Sequence, residues 1–163
     1  MVIADVDDPL RSESPRVPLG PGIELAERLV GTIAASPYAA STLVVVAHVT
    51  GGGYYDHVRP PSPPALEVDA SSGVAADAYA LAYGPRVPLL ALGRFARRNH
   101  VSHVPLELSS VTVFAEWNWL RGARLKGTRE PGDLRRYRDT VANNLGSLLD
   151  AREVGVEIPG GQP

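Results

Sequence analysis

The feature that most constrains this chain is short. Residues 42–48 (TLVVVAH) form an apolar, β-branched run without alternation, and three glycines, Gly51 to Gly53, follow almost at once. Such a run lacks the in–out period of a strand with one wet face. It predicts a strand buried on both faces, as in a parallel sheet covered by helices. A strand running into a glycine turn is also where α/β proteins place their chemistry, although a plain tight turn accounts for the same spacing. A second run, residues 86–92 (RVPLLAL), reads as another buried strand, with Pro88 marking its start or an edge position. Buried strands need neighbours on both edges, so two of them imply part of a larger α/β sheet.

Around these strands the chain alternates between helical patterns and loops. Residues 1–21 carry Pro9, Pro15, Pro18 and Pro21 and read as a flexible lead-in. From Gly22 onward, Ile23, Leu25, Ala26, Leu29, Val30 and Ile33 recur at helical spacing. Glu24 and Glu27 fall in the expected first turns, where the helix dipole favours negative charge. This helix should stop near Ser36-Pro37. Residues 54–64 (YYDHVRPPSPP) predict an extended loop and residues 65–84 a second one. Ser109 or Ser110 could cap a helix through Trp119, with Val113, Trp117 and Leu120 on one face. A last helix is expected from Gly132 or Asp133 to about Ala151, with Leu134, Tyr137, Val141, Leu145 and Leu148 forming one apolar stripe. The tail after it, residues 152–163, reads as frayed.

Composition removes several classes of function. With 44% hydrophobic and 21% charged residues, the chain is globular rather than disordered. A net charge of −2, with only the short arginine groups Arg97-Arg98 and Arg135, Arg136, Arg138, gives a nucleic-acid role little electrostatic support. The absence of cysteine excludes thiolate catalysis, disulfides and Cys-ligated zinc. No apolar run reaches the ~18 residues of a transmembrane helix. The acidic, proline-broken N-terminus lacks the features of a signal peptide, so the chain is either cytoplasmic or without its export segment, and its location stays open.

Three blocks of sequence then carry a resemblance. In SPYAASTLVVVAHVTGGGYYDHVRPP, the residues Gly51, Gly52, Gly53, Tyr54, Tyr55, Asp56, His57, Val58, Pro60 and Pro61 follow a strand–glycine–Tyr-Asp-His-Val–proline pattern. In YGPRVPLLALGRFARRNHVSHVPLELSSVTVFAEWNWL, they are Gly84, Pro85, Arg86, Val87, Pro88, Val101, His103, Ser110, Glu116, Trp117 and Asn118. In the weaker RDTVANNLGSLLD, they are Arg138, Asp139, Asn143, Asn144, Leu145 and Asp150. In this order the blocks resemble the C-terminal part of the bacterial phosphoesterase family that includes phospholipases C and an acid phosphatase, within the alkaline-phosphatase superfamily. The resemblance covers roughly residues 22–150. It implies a partial alkaline-phosphatase-like three-layer α/β/α sandwich and hydrolysis of phosphoric esters with a bound divalent metal. On this reading residues 22–151 are the C-terminal portion of a phosphoesterase domain. Members of the family are often exported.

Two departures from the family pattern bear on activity. The acidic pair that supplies metal ligands in the superfamily falls here on Val49 and Thr50. A hard cation needs oxygen donors and gains much of its affinity from their charge, whereas valine has no donor and threonine one neutral hydroxyl. Second, the nucleophile region of the family is not recognisable ahead of the first matched helix. The weak catalytic candidates are therefore Asp56, His57 and His103, and the weak metal-ligand candidates His48, Asp56 and His57. The competing reading has Asp56 and His57 orienting their loop and His103 making a structural hydrogen bond. Likewise Arg86 suits either a phosphate or a structural ion pair. Tyr54 and Tyr55 read as loop anchors, and Glu116, Trp117 and Asn118 as packing residues. No cofactor is assigned beyond a divalent metal if the chain is active. The expectation is a truncated, degenerate phosphoesterase. Its alternatives are a subunit of a larger active assembly and a non-catalytic module that binds a phosphate-ester ligand, itself or a partner chain through an uncovered sheet edge.

Overall fold

The computed structural model describes residue 15 and residues 17–61, 83–123, 142–155 and 158. The chain divides into two compact units: Met1–Arg59 with Gly84–Ala96, and Pro60–Tyr83 with Arg97–Pro163. Helices and a small sheet together make a mixed α/β protein, the class expected from the sequence. Among the described residues, no helix is long and apolar enough to cross a membrane.

In the first unit, helix α1 spans Leu19–Ala34. It begins three residues before the expected start at Gly22, because Pro21 does not interrupt it. Pro18 caps the helix and Pro21 lies in the first turn, where backbone N–H groups have no intrahelical acceptor and a missing one costs nothing. With this earlier start, the first turn holds no acidic residue, and the expected dipole contribution of Glu24 and Glu27 is displaced down the helix. The end falls where the sequence put it. Ala35 N donates to Gly31 O, Ser36 N and Oγ both donate to Ile33 O, and Pro37 follows.

Strands β1 (Val44–Ala47) and β2 (Leu89–Leu92) pair antiparallel, with Val44 opposite Leu92 and Ala47 opposite Leu89. The parallel arrangement expected from the apolar run is not the one these strands adopt. A run without alternation reports apolar surroundings on both faces but carries no information on strand direction. All four β1 residues are half-buried, and Leu90 in β2 is exposed. β2 starts immediately after Pro88, as its lack of an N–H requires. The turn beyond β2 needs a glycine. Gly93 has φ +110° and packs so close to the Thr42 carbonyl that a Cβ would lie 2.7 Å from it.

The second unit is built on helix α2 (Leu108–Leu120). Its N-cap is Glu107 rather than Ser109 or Ser110. Ser110 sits three residues further on, fully buried, and accepts a hydrogen bond from Glu107 N at 3.0 Å. The helix ends at a left-handed Arg121 and a Gly122 with φ +77°, whose N–H reaches back to Glu116 O. The buried stripe is Ser110, Val113 and Glu116. Of the expected face, Val113 is buried, Trp117 is half-buried and Leu120 is exposed.

The last expected helix fares differently along its length. Residues 124–141 lie outside the described residues. Beyond them, Leu145–Leu148 form a 3₁₀ turn and only Ala151–Val154 are α-helical (α3). Tertiary bonds explain the change. Arg97 N donates to Leu148 O and Arg97 Nε to Leu149 O. Asn143 Nδ2 donates to Pro105 O, and Ser102 Oγ bonds Ser147 Oγ. Backbone and side-chain groups that a helix would use locally are thus engaged from residues 97–105. Leu145 (0% exposed) and Leu149 (3%) form the core here, against α2. Asp150 caps α3 by accepting from Arg152 N, and Ile158 beyond it is buried.

Candidate functional site

The end of β1 and the chain leading into β2 border an open cleft of about 420 Å³, lined by Gly51, Tyr54 to His57 and Pro85 to Pro88. Its walls follow from the β register. His48 Nδ1 lies 3.3 Å from Pro88 O, one step beyond the Ala47–Leu89 pair. Three steps further on, Gly51 faces Pro85 so closely that a Cβ would collide with the proline ring. Glycine is required at this position by close approach rather than by backbone sign. At Gly52 (φ +62°) and Gly53 (φ +91°) the requirement is the left-handed conformation itself. The turn closes with Tyr54 N donating to Gly51 O and Gly52 N to Thr50 Oγ1.

After the turn, Asp56 gathers the polar contacts. Its carboxylate accepts from Val58 N at 3.0 Å and from Arg86 N at 2.8 Å. The Arg86 guanidinium adds Nε at 3.0 Å to Oδ2 and Nη2 at 2.9 Å to Oδ1. This is a two-pronged arginine–carboxylate pair, the geometry in which charge-assisted bonds are strongest. The Asp56 side chain is 11% exposed and that of Arg86 61%. The guanidinium, then the two amides, hold the Asp56 carboxyl well below the usual carboxylate range, and the same pair raises Arg86.

Of the residues singled out from sequence, the structure brings Asp56 and His57 to this cleft and sets His48 beside Pro88. His57 is exposed. His103 is exposed and belongs to the second unit. Val49 is 66% exposed and presents no donor atom, while the Thr50 hydroxyl is used within the turn. Among the described residues, no group of three or more His, Asp or Glu side chains stands close enough to hold a metal ion. The residues present at the strand end do not fit a hard divalent cation: the carboxylate among them already carries four N–H contacts, and the neighbouring positions offer no charge. Sequence reasoning gave Arg86 a structural ion pair as one of two roles but did not name its partner. The Gly51–Pro85 approach carried no sequence signal beyond the glycine itself.

A family model described as the Phosphoesterase family matches residues 6–120. This chain belongs to the Phosphoesterase family. The match takes in α1, both strands, the cleft and α2. The lineage is accordingly that of phosphoric ester hydrolases. The third, weaker block of resemblance, within residues 138–150, lies beyond the matched span. No curated protein matches the chain.

Proposed function

We propose that this phosphoesterase-family chain is degenerate at its strand-end site and does not by itself hydrolyse phosphoric esters. The observation that carries this reading is the state of Asp56. In metal-assisted hydrolysis a cation polarises the phosphoryl oxygens and generates or positions the attacking group, and it is held by anionic oxygens. Here the strand-end carboxylate is neutralised by Arg86 and saturated with N–H donors. By the resemblance, the family's acidic pair falls on positions 49 and 50, and these are Val49 and Thr50. Inherited chemistry of either the phospholipase C type or the acid phosphatase type would fail for the same reason.

The test is hydrolysis of a chromogenic phosphate monoester and a diester by the purified, folded chain, with and without added Mg²⁺, Mn²⁺, Zn²⁺ or Ca²⁺. The expected outcome is no turnover above blank in either arm. Metal-dependent turnover that disappears in Asp56→Ala or His57→Ala would overturn the reading and establish a rebuilt site.

A binding-module reading draws separate support from the exposed side chains around the cleft, among them Tyr55 (91% exposed), Tyr54 and Val87. Exposed aromatic and apolar surface is what association uses. A monomer by light scattering that binds no apolar dye would count against that reading.

A further inference from the structure

We propose that the Asp56–Arg86 pair is a conformational latch, which holds the glycine loop shut against the lead-in of β2 and so builds the cleft. This goes beyond the question of activity, since a latch works the same way in an active or an inactive protein. The loop has little apolar anchoring: Val49, Tyr54, Tyr55 and Val58 are all exposed. Among the described residues, the side-chain hydrogen bonds running from residues 51–58 to residues 84–88 all end on Asp56. The same carboxylate also orders its own loop through Val58 N. One group therefore ties the loop both to itself and to the opposite wall. Beside it stand the His48 Nδ1–Pro88 O contact at the end of β1 and the steric approach of Gly51 to the Pro85 ring.

Each half of the latch has a distinct job. Arg86 contributes its backbone N–H as well as the guanidinium fork, so a change of side chain removes two anchor points and leaves the third. Lysine at that position would keep the charge and lose the fork, because an ammonium cannot present two parallel N–H groups to one carboxylate. Asparagine at position 56 would keep the shape and lose both the charge and one acceptor. Closed, the loop lines the cleft with Tyr54, Tyr55 and His57, exposed but held in a fixed turn; open, it would become the extended, adaptable segment that a protease needs to cut after either tyrosine.

The experiment is limited chymotrypsin digestion of the full chain, with cleavage after Tyr54 or Tyr55 followed by intact mass. It compares wild type, Asp56→Asn, Arg86→Lys and the double variant, each checked for native circular dichroism. Each single variant is expected to cleave about fivefold faster or more, because proteolysis reads the population of the open loop. The double variant is expected to cleave no faster than the quicker single one, since both changes open the same latch. Unchanged rates, or effects that multiply in the double variant, would overturn the proposal. Hydrogen exchange on the wild type gives a second reading that needs no variant. The Val58 and Arg86 amides, both donors to Asp56, should open together with equal protection, and unequal protection would refute a common latch.

Discussion

The two units hold themselves together by different means. Around the cleft, the loop is fastened by an ion pair at the surface, with Arg86 largely in water and Tyr55 almost fully exposed. In the second unit, the fastening is burial: Leu145, Ser110 and Glu116 are at most 2% exposed, and Leu149 lies with them. Polar groups serve both places. In the first they are charged and lie at the surface, and losing the exposed Arg86 guanidinium would uncover Asp56 to water. In the second they are shut away, and losing one leaves an unsatisfied group in a medium that cannot replace it. The first arrangement can open without unfolding, whereas the second cannot.

If that contrast is right, the largest effect comes from the buried side. Leu145→Ala should destabilise the chain by about 2–5 kcal/mol, read from the denaturant midpoint; a loss within experimental error would mean this core does not support the fold. Ser110→Ala comes next, at about 1–2 kcal/mol, because the Glu107 N–H loses its acceptor at the head of α2. Circular dichroism should show the same helix melting earlier. Gly51→Ala tests the steric half of the cleft. Its Cβ must push the Pro85 ring aside, at a cost of about 1–3 kcal/mol, and a full-strength denaturation curve would show that the loop absorbs the shift freely. The smallest effect should be the pH dependence of Asp56. Its pKa is lowered by folding, so its contribution is present above the unfolded value of about 3.9 and is lost as pH falls toward the folded value. Stability should show no slope from this group between about pH 5 and 8. The acid-side decline should be shallower in Asp56→Asn, and identical acid limbs in the two proteins would contradict the pair.

How legible this was from sequence differs by region for the same physical reason. The cleft is spelled out in residue types with narrow uses: glycines at positive φ, an arginine able to fork onto a carboxylate, and a proline that starts a strand. Those residues marked the site, although nothing in the spacing said that Asp56 would meet Arg86 thirty positions away. The second unit was harder. α2 was expected within one residue of its true end, but its buried stripe contains Ser110 and Glu116, and a hydrophobic pattern cannot mark a stripe that is two-thirds polar. The apolar spacing through Leu145 and Leu148 is helical, yet Arg97 takes the Leu148 and Leu149 carbonyls and a 3₁₀ turn results. Local periodicity lost there to contacts from a distant segment. Strand direction in β1–β2 failed for a simpler cause: it is a property of the pair, and neither strand encodes it alone.

The register of that pair also governs how the chain comes to be folded. Val44 must find Leu92, and Ala47 must find Leu89, so the ladder closes over some four dozen residues. Contacts this far apart in sequence form slowly, because the entropy of bringing the ends together is spent before any bond rewards it. On a ribosome adding about 5–20 residues per second, Val44 emerges roughly 2–10 s before its partner. For that interval three consecutive valines stand without a strand beside them, and the nascent chain depends on whatever shields an apolar segment in the meantime.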